Sequence, residues 1–298
     1  MSNSAISQPD MTGRLLRINL SRRSSSVEAI EPEEFRLLLG GRGLGALWYY
    51  REIGPTVHPL SADNKIGFFA GPLTGTPLVS TTKLAMTTKS PETGHYLCSN
   101  AGGFFGPRLR RAGLEALILE GVANCWTAVV IDNGAVRFVD DESWAVLTPM
   151  QAREKLLDLL PGTDWATVSI GPAAENAVVF SPVFVDDGRA FGRGGGGAVL
   201  ASKRVKLVAI RGDGQIPVAD PEKCKAIAAA VREDLKVSRA KHRELGTAQS
   251  VEIINELGCM PTRNFQTAWG PPEEVGGVYA QTLRQKYRVR NYACYRCS

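Results

Sequence analysis

The chain has 298 residues, 44% apolar and 22% charged, with a formal net charge of +5, material for one large domain plus a smaller or partial one at roughly 100–200 residues each. No run approaches the ~18 consecutive apolar residues of a membrane span, and the opening MSNSAISQPD lacks the apolar core of a secretory signal. Six scattered cysteines are too few for a disulfide framework and point to a reducing, cytoplasmic setting; the arginines stand beside glycines rather than in a basic stripe, which favours sockets for small anions over a nucleic-acid face.

Residues 13–19 alternate apolar and polar, and with 26–30 they predict an opening hairpin. A short helix is expected over 32–39, with Pro32 in its first turn and Gly40 at its end, and helical spacing resumes over 46–52. Strands are expected at 65–70, 83–89 and 116–120, and a hairpin at 126–140 around Asn133-Gly134. A helix over 150–160 precedes strands at 167–170, 178–185 and 206–210. The texture then changes: from Pro221, Ala, Lys, Glu and Leu replace glycine in PEKCKAIAAAVREDLKVSRAKHREL, a helix of good propensity, and 247–257 predicts a second helix ended by Gly258. The domain boundary is placed near 212–219, giving a sheet-rich part over 1–212 and a helical, unfinished part over 220–298.

An internal repeat emerges from this order. Residues 83–121 run strand, Asn-Ala-Gly-Gly loop, helix, strand, glycine; residues 177–212 run strand, Gly-Arg-Ala-Phe-Gly loop, helix, strand, glycine. Each copy sets a glycine turn before a helix, where unpaired N–H groups favour an anion. Sheet packing alone would also use such turns.

Gly41, Gly43 and Ala46 formally fit the dinucleotide pattern G-x-G-x-x-A, but the preceding EPEEFRLLL is helical and the pattern needs a strand there, so that reading is rejected. Ser99 to Pro107, SNAGGFFGP, is more specific, because Asn100 both donates and accepts, as a pterin edge or a hydrated metal ion requires. The strongest signal is DGRAFGRGGGG, 187–197, which sets Arg189 and Arg193 among six glycines, forked donors beside a backbone that permits close approach. Cys294 and Cys297 form a C-x-x-C pair, open to reading as a redox dithiol, half a zinc site or half a cluster site; a thioredoxin-type motif fails for want of a following strand–helix unit. Cys98, Cys125, Cys224 and Cys259 are expected to be small buried residues. His58, His95 and His242 share no ligand spacing.

Taken in order, GGRGLGALWYY, FFAGPLTGTP, TTKLAMTTKSPETG, SNAGGFFGP, GRAFGRGGGGAVLASKRVKLVAI and the terminal C-x-x-C resemble the aldehyde:ferredoxin oxidoreductase family, the tungstopterin and molybdopterin enzymes. The resemblance implies an α+β chain: a two-sheet, pseudo-twofold N-terminal pterin-binding domain, then an incomplete α-helical domain. It implies a bis-pterin tungsten or molybdenum cofactor contacted by Lys83, Asn100, Gly102, Arg189, Ala190, Gly192 and Arg193. A magnesium ion would sit on Asn100 and the Ala190 carbonyl, and a [4Fe–4S] cluster on Cys294 and Cys297. Lys83 stands where a typical member has arginine, so charge survives but the bidentate fork does not. The implied reaction is oxidation of an aldehyde to a carboxylic acid, with electrons passed to a ferredoxin-like carrier and a completing chain or homodimer supplying what is missing. Acid/base residues are not assigned. An aromatic acyl-CoA reductase type of member, or a non-catalytic pterin-binding module or remnant, is the competing reading.

Overall fold

The computed structural model describes residues 13–288 and 290–297; the polar opening stretch lies outside them. Two compact units emerge. The first runs to Pro221 and also takes in Cys294–Arg296, and the second comprises Glu222–Ala293 with Cys297.

The first unit opens with the expected hairpin, β1 (Gly13–Asn19) against β2 (Ser24–Ile30), followed by α1 (Pro32–Leu38) and α2 (Gly41–Glu52). Pro32 at the first position and Glu33 and Glu34 in the first turn favour α1, and Leu39 (φ 57°) and Gly40 (φ 72°) end it in left-handed backbone. The GRGLG stretch is therefore the first turn of α2, reached from a helix rather than a strand. Then come β3 (Ile66–Ala70), β4 (Leu84–Lys89), β5 (Tyr96–Ala101), α3 (Phe105–Arg111) and β6 (Ala116–Glu120).

The same sequence of strands follows again: β7 (Thr127–Asp132), β8 (Ala135–Asp140), α4 (Pro149–Asp158), β9 (Ala166–Ser169), α5 (Pro172–Glu175), β10 (Val183–Val185), β11 (Arg189–Phe191), α6 (Gly196–Ser202) and β12 (Val205–Arg211). Asn133 (φ 48°) and Gly134 (φ 89°) make the β7–β8 turn, as their residue types require. Thr148 and Gln151 cap α4 reciprocally.

The two sheets have one topology. The first is ordered β2-β1-β6-β3-β4-β5 and the second β8-β7-β12-β9-β10-β11, so each strand corresponds to the strand six places later. Both have one parallel pair, β1 with β6 and β7 with β12, and are otherwise antiparallel. Even the end pairs agree: Asn19 opposes Glu120 and donates to its Oε1 at 2.8 Å, and Asp132 opposes Arg211 and accepts from its Nε at 2.9 Å. The duplication is thus larger than the fragment visible in the sequence.

One apolar core joins the sheets. Ile18, Phe68, Met86 and Leu117 from the first meet Val129, Val168, Phe191 and Val208 from the second, with Phe105 of α3 and Val199 of α6 in the same cluster. Phe35 and Trp48 of α1 and α2 cover the first sheet through Phe69 and Ile118. Trp144, Leu156 and Trp165 cover the second through Val130 and Leu207.

Three expectations change. β5 and β11 lie where loops were read, because β5 sets Cys98, Ser99 and Asn100 in succession and β11 is only three residues long between glycines. The strand expected at 178–185 shrinks to Val183–Val185, with residues 177–182 forming the turn after α5. Of the lone cysteines only Cys224 is buried; Cys98 and Cys125 are half-buried and Cys259 is exposed.

The second unit is helical: α7 (Pro221–Ser238), α8 (Ala240–Leu245), α9 (Val251–Glu256), α10 (Pro272–Val275) and α11 (Ala280–Lys286). The helix expected over 247–257 is a 3-10 turn at Gly246–Ser250 followed by α9. Asn255 is buried and clamps Gly270, donating to its carbonyl at 2.8 Å and accepting its N–H at 2.9 Å. Ile227, Leu257 and Trp269 remain exposed. No helix among the described residues is long and apolar enough to cross a membrane.

Candidate cofactor-binding site

β5 and β11 are the last strands of their sheets and lie side by side. This places the residues singled out in the sequence along one edge. Asn100 is exposed on β5, and Gly102 follows that strand. Leu84 pairs with Ala101, so exposed Lys83 enters β4 opposite the Gly102 turn. Arg189 and Ala190 are half-buried on β11, and Gly192 and Arg193 follow it, exposed. Gly102 and Gly192 are equivalent, each being the first residue after the fifth strand of its repeat.

Cys294 comes to the same edge. Its Sγ accepts from Arg189 Nε at 3.0 Å, and a Cβ added to Gly102 would stand 2.8 Å from it. Its neighbours fix it there: Tyr295 donates its hydroxyl to the Gly75 carbonyl at 3.0 Å, Arg296 donates to the Pro77 carbonyl at 3.1 Å, and Ser80 N–H donates to the Arg296 carbonyl at 3.1 Å. Phe104 meets the Tyr295 ring edge-on. Cys297 is exposed.

The glycine run has a different cause from the one its density suggested. Gly194 and Gly195 adopt φ of 84° and 78°, and a Cβ on Gly195 would lie 1.8 Å from the Val179 carbonyl oxygen. On Gly194 a Cβ would strike Leu97, on Gly196 Met86, and on Gly197 the Pro182 carbonyl. Gly194 and Gly196 let the start of α6 pack on β5 and β4 of the first sheet, and Gly195 and Gly197 let it pack on the 179–182 turn of its own repeat. Gly192 alone of the run's last five has open space at its Cβ position, which leaves the approach to a ligand to Gly192 and Arg193.

Nor is the turn before α3 an unpaired anion socket. Asp186, buried after β10, accepts the Phe104 N–H on Oδ2 at 2.8 Å and the Thr167 N–H on Oδ1 at 3.0 Å. The protein's own carboxylate takes the first N–H of that helix end. Burial pushes its carboxyl above the ordinary value, while the two backbone N–H groups and Arg153 pull the other way. Ser90, in the equivalent place after β4, donates to the Gly194 carbonyl at 2.8 Å before α6. Neither residue stood out in the sequence; the only signal for Asp186 was its place in the Asp-Asp-Gly turn.

His58, His95 and His242 are exposed, and no group of three or more His, Cys, Asp or Glu among the described residues could hold a metal ion.

Comparison with known proteins agrees with this architecture. Residues 15–212 match the family described as aldehyde ferredoxin oxidoreductase, N-terminal domain, and residues 222–298 match aldehyde ferredoxin oxidoreductase, domains 2 and 3. The tungsten-containing aldehyde ferredoxin oxidoreductase of Pyrococcus furiosus is 38% identical over 96% of this chain and 47% of its own length, and that of Pyrococcus abyssi is likewise 38% identical over the same shares. The chain thus spans about half the length of these relatives. Among solved structures, the active-site complex BamBC of benzoyl coenzyme A reductase superposes with a TM-score of 0.82 at 26% identity, over 96% of this chain and 46% of that one. With both family regions matched in order and the duplicated two-sheet unit in place, the chain belongs to the aldehyde ferredoxin oxidoreductase family.

Proposed function

We propose that this chain is the cofactor-binding portion of a tungsten- or molybdenum-bis-pterin oxidoreductase that oxidises an aldehyde to a carboxylic acid and passes the electrons to a ferredoxin-like carrier. The observation that carries the reading is the shared edge of β5 and β11, which carries exposed Lys83, Asn100 and Arg193 and where Arg189 and Gly102 meet Cys294. The names of the relatives favour tungsten.

The residues fit such a group. The open position at Gly192 admits a ring or phosphate close to the backbone, and Arg193 and Lys83 supply positive charge to phosphates, Arg193 as a fork and Lys83 as a point. Asn100 and the Ala190 carbonyl offer oxygen ligands to magnesium, a hard cation. Cys294 and Cys297 offer two of the four thiolates of a [4Fe–4S] cluster. When bound, the pterin-held metal supplies the two-electron chemistry by which an aldehyde and water become a carboxylic acid, two protons and two electrons. This chain binds and orients; its packed glycine run and the Asp186 and Ser90 bonds hold the two loops at fixed spacing. The groups that move protons at the substrate are assigned to no residue here, and a completing chain or a homodimer is proposed to supply them.

A second reading, reduction of an aromatic acyl-CoA thioester, draws on the benzoyl coenzyme A reductase neighbour. Anaerobically purified complete protein separates the two. Aldehyde-dependent reduction of a viologen dye with carboxylate formed in equal amount supports the first. Thioester-dependent oxidation of the reduced dye favours the second, and neither activity in metal-loaded protein would overturn both.

A further inference from the structure

We infer that Gly102 and Arg189 form the seat of the Cys294 thiolate, and that Arg189 sets the reduction potential of the cluster it holds. The inference rests on the reading of Cys294 as a cluster ligand, but it gives both residues a task other than contact with the pterin.

Three observations converge. The Nε–H of Arg189 points at Cys294 Sγ at 3.0 Å, a close N–H···S contact, so the guanidinium is turned to the sulfur. Its Nη1 donates to the Gly188 carbonyl at 2.8 Å, which fixes the fork in that orientation. Gly102 lies against the same sulfur, where a Cβ would come within 2.8 Å of Sγ and 3.7 Å of Cys294 Cβ. The two residues come from the two repeats, Gly102 after β5 and Arg189 on β11. The sulfur is therefore gripped where the duplicated halves meet.

The physical consequence has one sign. A thiolate bound to an iron–sulfur cluster carries more negative charge when the cluster is reduced. A hydrogen bond and a positive charge at that sulfur stabilise the reduced state, so the potential rises. Both effects of Arg189 act in this direction.

The test uses the complete protein purified anaerobically, with iron counting and an EPR-monitored redox titration. Arg189→Gln removes the charge, and Arg189→Lys keeps it while losing the planar fork. The expected order of midpoint potentials is wild type highest, R189K intermediate and R189Q lowest, at equal iron content. If R189Q loses iron, R189K carries the comparison. Gly102→Ala is expected to displace Cys294 and reduce iron. Equal midpoints in wild type, R189K and R189Q would overturn the tuning role, and full iron with an unaltered EPR signal in G102A would overturn the seat. Cys294→Ser with wild-type iron and spectrum would instead show that Cys294 is no ligand, removing the reading beneath.

Discussion

Asp186 accepts the Phe104 N–H at 2.8 Å, and this bond ties the turn after β10 in one repeat to the glycine turn before α3 in the other. Ser90 makes the reciprocal link to the Gly194 carbonyl. The glycine loops are held by each other's sheets, which fixes the distance between whatever each one binds.

Asp186→Ala is therefore expected to lower stability by about 1–3 kcal/mol or more, the cost of leaving a buried N–H without an acceptor. Asp186→Asn keeps the shape but only one good acceptor, and should cost less. Urea denaturation reads the effect as a lower midpoint with an unchanged slope. A midpoint for D186A equal to wild type would show that the loops are held by packing alone.

The glycine run separates packing from ligand access. Gly195→Ala combines a φ of 78° with a Cβ 1.8 Å from the Val179 carbonyl, so strain of about 1–2 kcal/mol for left-handed backbone adds to a backbone clash. Gly192→Ala meets open space and should change stability by no more than about 0.5 kcal/mol. Thermal unfolding of the two variants should differ by many degrees, with G195A the lower; equal melting temperatures would contradict the assignment.

The sequence made some of this readable and hid the rest for physical reasons. The Asn133-Gly134 hairpin and Pro32-led α1 were legible because local backbone demands choose those residues. The ordered motifs carried the family. β5 and β11 were not legible, since β5 sets Cys98, Ser99 and Asn100 in succession, which breaks the alternation that marks a strand, and β11 is only three residues long. The true extent of the duplication was hidden because topology is conserved between the halves while side chains differ, as in Asn19–Glu120 against Asp132–Arg211. The contact of Arg189 with Cys294 spans 105 positions, and no local pattern announces it.

Lys203 predicts a pH dependence. It is fully buried, and its ammonium donates to the Asn64 carbonyl and, at 3.2 Å, to that of Gly121. Burial lowers its pKa from the ordinary 10.5 to about 8. Between those values the unfolded chain binds the proton more tightly, so stability rises as pH climbs from about 8 to 10.5, and is lost as pH falls back through 8. The slope reaches at most ~1.4 kcal/mol per pH unit. Lys203→Met should abolish that slope while lowering stability, because two carbonyls lose a donor. An unchanged pH slope in K203M would place the dependence elsewhere.

The β5–β11 edge is proposed to carry a pterin-held metal. The most direct measurement is metal and pterin content of the complete protein, purified anaerobically from cells grown with tungstate and molybdate, beside its Arg193→Ala variant. One tungsten or molybdenum and two pterins per chain are expected in the wild type. R193A is expected to lose cofactor affinity roughly tenfold or more, as one charged hydrogen-bonding partner worth about 1.5–3 kcal/mol is removed. Folded wild-type protein holding neither metal nor pterin, or R193A retaining full occupancy at limiting cofactor, would contradict it.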